Sequence, residues 1–274
     1  MNRYTSCTVP TRLEEIISAT RDRVARDKAL VNHRALTAAA EQHQPRSFRH
    51  SLRSTSEKGV AVIAELKKAS PSKGLIRADF PVAGLARELE LAGAAALSVL
   101  TDETYFQGSL KNLETASQAT QLPCLRKDFV VDEFQLVEAR AYRADAVLLI
   151  VAALSDSELR GLSQRAKELK LDVLCEVHDA AELQRAVDAG CDTIGVNNRN
   201  LHTFQVDLNT ALRLAEQIPA GVLKVAESGI KSGDDLARLR QAGFDAFLIG
   251  ESLMRAQSPG AALRELTAQA VPAR

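Results

Sequence analysis

The sequence predicts a closed (β/α)8 barrel with an N-terminal helical extension, and three observations carry that prediction. Short apolar runs alternate with amphipathic helical stretches eight times between Val60 and Ala270. Strands that alternate with helices form a parallel sheet. Eight such units in about 215 residues suit a closed barrel, whereas an open doubly wound sheet needs fewer units and a switch point. Finally, glycine stands just past three helices, in Leu91-Ala92-Gly93-Ala94, Asp188-Ala189-Gly190-Cys191 and Gln241-Ala242-Gly243-Phe244. Glycine takes a left-handed helix cap at little steric cost. Each joint precedes a strand and so fixes the chain direction; none is assigned any chemistry.

The elements follow in order. Residues 1 to about 55 differ from the rest. A helix begins at Pro10 to Ile17, with Thr11 as its cap and Glu14 completing a capping box. Leu13, Ile16, Ile17 and Val24 share one face, while Arg21, Arg23, Arg26 and Lys28 turn mostly outward. A second helical stretch covers about Leu30 to Gln42, and a short one follows Pro45. This extension, residues 1–55, is too small to be a domain by itself; residues 56–274 form the barrel.

The eight apolar runs are Val60–Leu66, Ala96–Thr101, Pro123–Arg126, Ala146–Val151, Asp172–Val177, Thr193–Asn197, Leu223–Ala226 and Ala246–Ile249. Between and after them lie helical stretches at roughly Val82–Ala92, Leu110–Thr120, Glu133–Arg143, Ser155–Leu169, Ala180–Ala189, Leu208–Gln217, Gly233–Gln241 and Gly260–Ala270. The first run reads as a strand buried on both faces. It breaks abruptly into Glu65, Lys67 and Lys68, then the loop Ser70-Pro71-Ser72-Lys73-Gly74. Alternate strand residues share a face, so Glu65 and Lys67 point the same way. Such charges at the end of a buried strand are costly to desolvate unless paired or used.

Composition excludes several function classes. Lys+Arg and Asp+Glu are both 35, giving a formal net charge of zero. That argues against a general nucleic-acid or membrane-surface binder. With 46% hydrophobic and 26% charged residues the chain has an ordinary soluble composition. Its start has no apolar signal core, and no run approaches the roughly 20 residues that span a bilayer. The cysteines Cys7, Cys124, Cys175 and Cys191 show no metal-type or paired spacing. The last three lie in or beside apolar runs and read as buried thiols of a reducing cytoplasm. The termini, residues 1–8 and 271–274, are expected to be loosely ordered.

In a barrel of this class the site lies at the C-terminal ends of the strands. Those ends carry Glu65 and Lys67, Asp102 and Glu103, Arg126-Lys127-Asp128-Phe129, Glu176, Asn197-Asn198-Arg199-Asn200, Glu227-Ser228-Gly229 and Gly250-Glu251-Ser252. One charged strand end is a surface accident. Six converging groups, Glu65, Lys67, Lys127, Glu176, Asn197 and Glu227, are hard to explain as solvated faces. Two ends suggest a phosphate. Ser228-Gly229 and Gly250-Glu251-Ser252 follow strands seven and eight and open helical turns, where free N–H groups attract anions. Ser70 and Lys73 add a hydroxyl and a charge. Lysines beside carboxylates in a partly dry site have tunable proton affinities and suit acid–base work. No His, Cys or Asp cluster has metal-ligand spacing. His178, just past strand five, is open to a role as ligand or base, with capping of a helix beside Asp179 the favoured reading.

Ile63 to Gly74, Leu100 to Ser109, Leu125 to Phe129, Glu176-Val177-His178, Gly195 to Leu201, Ala226 to Ile230 and Leu248 to Met254 together resemble the signature segments of the indole-3-glycerol phosphate synthase family. The resemblance runs from about residue 11 to 255. It implies a carbon–carbon lyase of tryptophan biosynthesis that uses no cofactor or metal. Its substrate would be the small phosphorylated molecule 1-(2-carboxyphenylamino)-1-deoxyribulose 5-phosphate. The resemblance makes Lys127 the general acid for ring closure and Glu176 the acid–base partner for dehydration. Lys67 would pair with the substrate carboxylate and is a second candidate proton donor, since spacing does not decide which lysine gives the decisive proton. Glu65 and Asn197 would orient lysines and hydroxyls, with Glu227 and Ser228 lining the site. Phosphate would be held by Ser70, Lys67, Gly229, Gly250 and the backbone at Glu251 and Ser252, beside Leu248. Phe106 and Phe129 would wall the aromatic ring, and Arg199 would brace the site. The helices before Val60 would cover the mouth. The expected state is a monomer or weak homo-oligomer. Two rival classes stay open at this stage: an isomerase barrel with a Cys/Asp pair at opposite strand ends, and a non-catalytic phosphate-binding barrel. No Cys ends a strand, and both Lys127 and Glu176 are present.

Overall fold

The structure is a computed structural model and describes residues 12–200, 203 and 205–270. The Thr11 cap, Cys7 and the expected loose termini lie outside the described residues. Eight parallel strands close on one another in chain order: β1 (Ala61–Leu66), β2 (Ala96–Leu100), β3 (Cys124–Lys127), β4 (Ala146–Ile150), β5 (Asp172–Val177), β6 (Thr193–Asn197), β7 (Leu223–Glu227) and β8 (Ala246–Ile249). β1 pairs with β2, Ile63 beside Ala96, and with β8, Ala61 beside Ala246. Closure leaves the barrel without an edge strand.

Three helices precede the barrel: α1 (Arg12–Leu30), α2 (His33–Gln42) and α3 (Phe48–Ser56). α2 begins three residues later than the sequence suggests, because Asn32 caps it by accepting from the Ala35 N–H. The outer helices are α4 (Val82–Leu91), α5 (Leu110–Ala119), α6 (Glu133–Ala141), α7 (Asp156–Glu168), α8 (Ala180–Asp188), α9 (Asn209–Leu214), α10 (Gly233–Gln241) and α11 (Pro259–Gln269). Capping boxes open α6, α7 and α10. Gly93, Gly190 and Gly243 have φ of 90°, 72° and 90°, the left-handed joints anticipated from their positions. Two short turns escape the periodicity, Glu103–Phe106 after β2 and Val151–Ala153 after β4. The loop after β1 is itself folded, with Ala69–Ser70 pairing antiparallel to Gly74–Leu75. Among the described residues no helix is long and apolar enough to cross a membrane.

Alternation along each strand divides the core in two. Ala61, Ile63, Leu125, Leu148, Leu174, Val225 and Leu248 fill the barrel interior. Val62, Ala64, Leu66, Cys124, Val147, Cys175 and Val177 face the helices. The interior layer includes Phe48 and Leu52 of α3, both fully buried against residues at the beginnings of strands such as Ala61 and Ala146. So α3 plugs the floor of the barrel, at the end opposite the strand C-termini. Of the extension, it is the start of α1, through Leu13 and Ile16, that reaches the mouth.

The floor is fastened by Asp145, whose carboxylate is wholly buried. Arg46 Nε and Nη2 donate to Asp145 Oδ2 at 3.0 and 2.6 Å, His43 Nε2 lies 2.9 Å from Oδ1, and the Cys124 N–H donates at 2.7 Å. Burial alone would raise the proton affinity of Asp145, but His43 and Arg46 hold it below the usual carboxylate range. The structure corrects one cysteine expectation. Cys175 and Cys191 are joined as a disulfide, with Cα atoms 6.5 Å apart, and are not free thiols. They lie 16 positions apart in the sequence, and the strand, helix and joint between them return Cys191 to the outer face of β5. Cys124 remains a free buried thiol whose pKa burial pushes up to about 12.

Arg46→Ala strands the Asp145 charge in the floor. It should cost about 3 kcal/mol of stability, read as a lower urea midpoint, while turnover per folded molecule is retained.

Candidate active site

The alternation that builds the inner core also delivers the polar groups. On β1 the interior positions Ala61 and Ile63 lead to Glu65, and Lys67 follows on the same side. On β3 Leu125 leads to Lys127; on β5 Leu174 leads to Glu176; on β7 Val225 leads to Glu227. The upper rim of the core is therefore charged, one strand period above an apolar layer. All these groups line one cavity of about 790 Å³ at the strand C-termini.

Lys127 is the hub. Its Nζ lies 2.9 Å from Glu176 Oε2 and 3.3 Å from Glu227 Oε2. Burial would strip its proton, but Glu176, Glu227 and Glu65 outweigh burial and hold it firmly charged. The two acids respond differently. Burial raises both, yet Lys127 and His178 hold Glu176 well below the usual carboxylate range. Glu227 moves up, because burial and the neighbouring Glu176 charge outweigh Lys127. Lys67 Nζ contacts Glu65 Oε1, the same-face pair expected from their spacing.

Behind the rim a second set of buried charges holds β3. Arg126 points outward and is fully buried, pairing with Asp128 at 2.9 Å and Glu138 at 2.8 Å. Thr101 Oγ1 donates to the same Asp128 oxygen at 2.8 Å. Asp128 Oδ1 accepts from the Phe129 N–H, and Gln135 Nε2 donates to the Phe129 carbonyl, each at 2.9 Å. This network positions Phe129, whose ring centroid is 6.4 Å from that of Phe106 at a tilt of 39°. Phe106 sits on the short turn capped by Asp102, which accepts from the Tyr105 N–H at 2.6 Å. The turn exits through Gln107, at φ 50°, and Gly108. A Cβ on Gly108 would collide with the Leu100 carbonyl.

The other end of the cavity is made of backbone and hydroxyls. Ser228 and Gly229 both have positive φ, 65° and 85°. Asn198 braces that turn, donating to the Glu227 and Ser228 carbonyls at 3.0 and 3.2 Å. Gly250 opens the short helix Glu251–Arg255, and among the described residues the buried Ser252 Oγ has no hydrogen-bond partner. Ser70, Lys73, Lys231 and Arg255 line the same cavity. Asn197 Oδ1 accepts from the Arg199 N–H at 3.0 Å.

The cavity thus brings together every anticipated site residue: Glu65, Lys67, Ser70, Phe106, Lys127, Phe129, Glu176, Asn197, Arg199, Glu227, Ser228, Gly229, Leu248, Gly250, Glu251 and Ser252. Leu13 and Ile16 of α1 also line it. Two features were missed. Gly195 lies beneath Glu227, where a Cβ would collide with Oε1. Asp179 does cap α8, but His178 turns instead toward Glu176 and Glu182.

A barrel with acid–base groups at one end of its mouth and an anion-sized polar hollow at the other defines an enzyme of the (β/α)8 class that handles a phosphorylated small molecule. The profile described as "Indole-3-glycerol phosphate synthase" matches residues 13–266. A protein of that name from Koribacter versatilis is 62% identical over 254 residues, 93% of this chain and 98% of that one. One from Acidithiobacillus ferrooxidans is 50% identical over 256 residues, covering 93% and 97%. The chain belongs to the indole-3-glycerol phosphate synthase family and is a carboxy-lyase of tryptophan biosynthesis. Solved structures show the fold alone. Thiamine phosphate pyrophosphorylase from Pyrococcus furiosus aligns with a TM-score of 0.59 at 19% identity, over 78% of this chain and 96% of its own. KGPDC from Streptococcus mutans gives 0.58 at 14%, over 77% and 97%.

Gly195→Ala should displace Glu227, with its Cβ also coming within 3.2 Å of Leu174 Cδ1 in the apolar layer. Turnover per folded molecule should fall at least tenfold, a barrier rise of about 1.4 kcal/mol. Wild-type steady-state rates would show that the room beneath Glu227 is unimportant.

Proposed function

We propose that the chain converts 1-(2-carboxyphenylamino)-1-deoxyribulose 5-phosphate to indole-3-glycerol phosphate, carbon dioxide and water, with Lys127 and Glu176 moving the protons. The observation that carries this reading is the contact of Lys127 with two carboxylates, 2.9 and 3.3 Å away, at the rim of a cavity with an apolar slot at one end.

The phosphate takes the polar end. Gly229 and Gly250 let the backbone approach it closely, Ser252 Oγ supplies a free donor, and Ser70 lies beside them. The anthranilate ring takes the slot between Phe106 and Phe129, which suits a planar apolar group. Lys67 leaves Glu65 to pair with the ring carboxylate. This pose sets the ring carbon that bears the carboxylate against the ketose C2 carbonyl.

The carbon–carbon bond then forms as Lys127 gives a proton to the carbonyl oxygen. Three carboxylates hold Lys127 charged, so it stands ready as the acid. Loss of carbon dioxide returns the electron pair to the ring. The new C2 hydroxyl then leaves as water while C1 gives up a proton, with Glu176 as the acid–base partner for that proton transfer, and the C1–C2 double bond completes the indole. Asn197, Arg199 and Ser228 position substrate hydroxyls, and Glu227 receives the charge of Lys127 as it changes. Leu13 and Ile16 of α1 shield the cationic intermediate from water.

Lys127→Ala and Glu176→Gln should each lower kcat by about 10² or more, followed as indole fluorescence, with circular dichroism unchanged. Undiminished kcat in either variant would remove that residue from the proton path.

A further inference from the structure

Glu176 has a second cationic neighbour that the reaction above does not use. His178 stands two residues further on, just past β5, and its ring turns back so that Nε2 lies 3.4 Å from Glu176 Oε1. Its other nitrogen, Nδ1, lies 2.9 Å from Glu182 Oε2, and that same oxygen accepts the His178 N–H at 2.8 Å. Glu182 sits in the first turn of α8, whose cap Asp179 accepts from the Glu182 N–H at 2.9 Å. The ring is therefore held at both its backbone and its far side. Its side chain is 11% exposed and that of Glu176 only 3%. Among the described residues Nε2 makes no hydrogen bond of its own, so the Glu176 oxygen is the group it faces. His178 does not line the cavity, and any effect it has on the reaction passes through Glu176.

We propose that His178, clamped by Glu182, is a positioning residue for Glu176: it places a cation on Oε1 and so leaves Oε2 turned toward Lys127. The proposal rests on the role given to Glu176 above. Its physical basis is a broken symmetry. Glu176 from β5 and Glu227 from β7 both face the one Lys127 ammonium from β3, and Glu65 from β1, itself beside Lys67, bears on the same ammonium. Two buried acids sharing one cation compete for it, and one of them takes a proton. A second cation on the Glu176 side alone decides the contest. Glu176 stays ionised and Glu227 becomes the acid with raised proton affinity, as their shifts run. His178 can hold its charge there. Burial would lower its pKa, but Glu176 and Glu182 lift it to about 10.

The test is the pH profile of kcat/KM for the full chain, with the carboxyphenylamino-deoxyribulose phosphate as substrate. His178→Phe keeps the bulk and removes the cation. Proton affinity at Glu176 then rises, so its basic form is lost at higher pH. The acid limb should move up by about one unit and kcat should fall about tenfold, with KM within about twofold of wild type. His178→Gln restores a neutral donor; it should recover most of kcat but leave the acid limb displaced. Should the Phe variant fold poorly, Glu182→Gln serves instead. It keeps an acceptor for Nδ1 but removes a carboxylate, so His178 loses its proton at lower pH. An Nε2 lone pair then faces the Glu176 carboxylate, and the alkaline limb should move down. An unmoved profile in the Phe variant, or in Glu182→Gln where that replaces it, overturns the proposal, as does a rise in KM alone. Glu176→Gln is the control that separates the two readings. If it is inactive while His178→Phe behaves as wild type, only the positioning role fails. If Glu176→Gln is fully active, the role of Glu176 fails and the proposal with it.

Discussion

An ammonium group inside a barrel of aliphatic side chains survives only if acids surround it, and that requirement on Lys127 organises the molecule. Its partners Glu176, Glu227 and Glu65 come from three other strands. No local stretch of chain can assemble them, so the set exists only when the barrel closes. Closure in turn depends on the layer beneath, where Leu125, Leu174, Val225 and Leu248 pack against one another and against Phe48 and Leu52 of α3. That plug keeps water from reaching the charged rim from below. An ion pair with solvent on one side alone is stronger than one with solvent on both. The floor and the chemistry are thus coupled, although α3 lies at the opposite end of the barrel from the substrate.

The same crowding explains where glycine is obligatory. Gly195, on the interior face of β6, and Gly250, just past β8, each face a carboxylate: a Cβ would collide with Glu227 Oε1 at the first and with Glu65 Oε1 at the second. Each interior layer of such a barrel is built by alternate strands, and there is little room between layers for long side chains. At these two positions the side chain is left out, so the neighbouring carboxylates can lean across toward the lysines. The absence of a side chain at these positions is as much a part of the site as the carboxylates that use the space.

Much of this was legible from strand alternation and the ends of apolar runs. Glu65, Lys127, Glu176, Asn197 and Glu227 could be placed at one rim because each ends a buried run, and chain direction followed from the glycine joints. What escaped notice obeys no period. Arg126 ends a run just as Lys127 does, yet one residue of phase sends it outward into a closed network with Asp128 and Glu138. Cys175 and Cys191 meet only because a whole strand–helix unit folds back between them, so their separation carries no signal. The extension reads as two and a half amphipathic helices, and amphipathicity reveals that a helix covers something without revealing which end of a barrel it covers. His178 was assigned to a cap because Asp179 follows it. The ring instead turns back along the strand axis, and a side-chain rotamer is not encoded in spacing.

The charges at the rim also set the order of events. Lys67 and Lys127 face Glu65, Glu176 and Glu227, so the rim has one acid more than it has ammonium groups, and the raised proton affinity of Glu227 reflects that excess. An incoming substrate adds a further carboxylate at this end. It can be accepted only by a cation whose partner tolerates losing it. Lys67 is the candidate, because it is the more exposed lysine, 20% against 14%, and among the described residues it is ion-paired with Glu65 alone. Lys127 is tied to two acids and stays where it is, pointing its proton at the carbonyl. The proposed division of labour between the lysines, one to bind the carboxylate and one to deliver the proton, thus follows from how many acids each must leave behind.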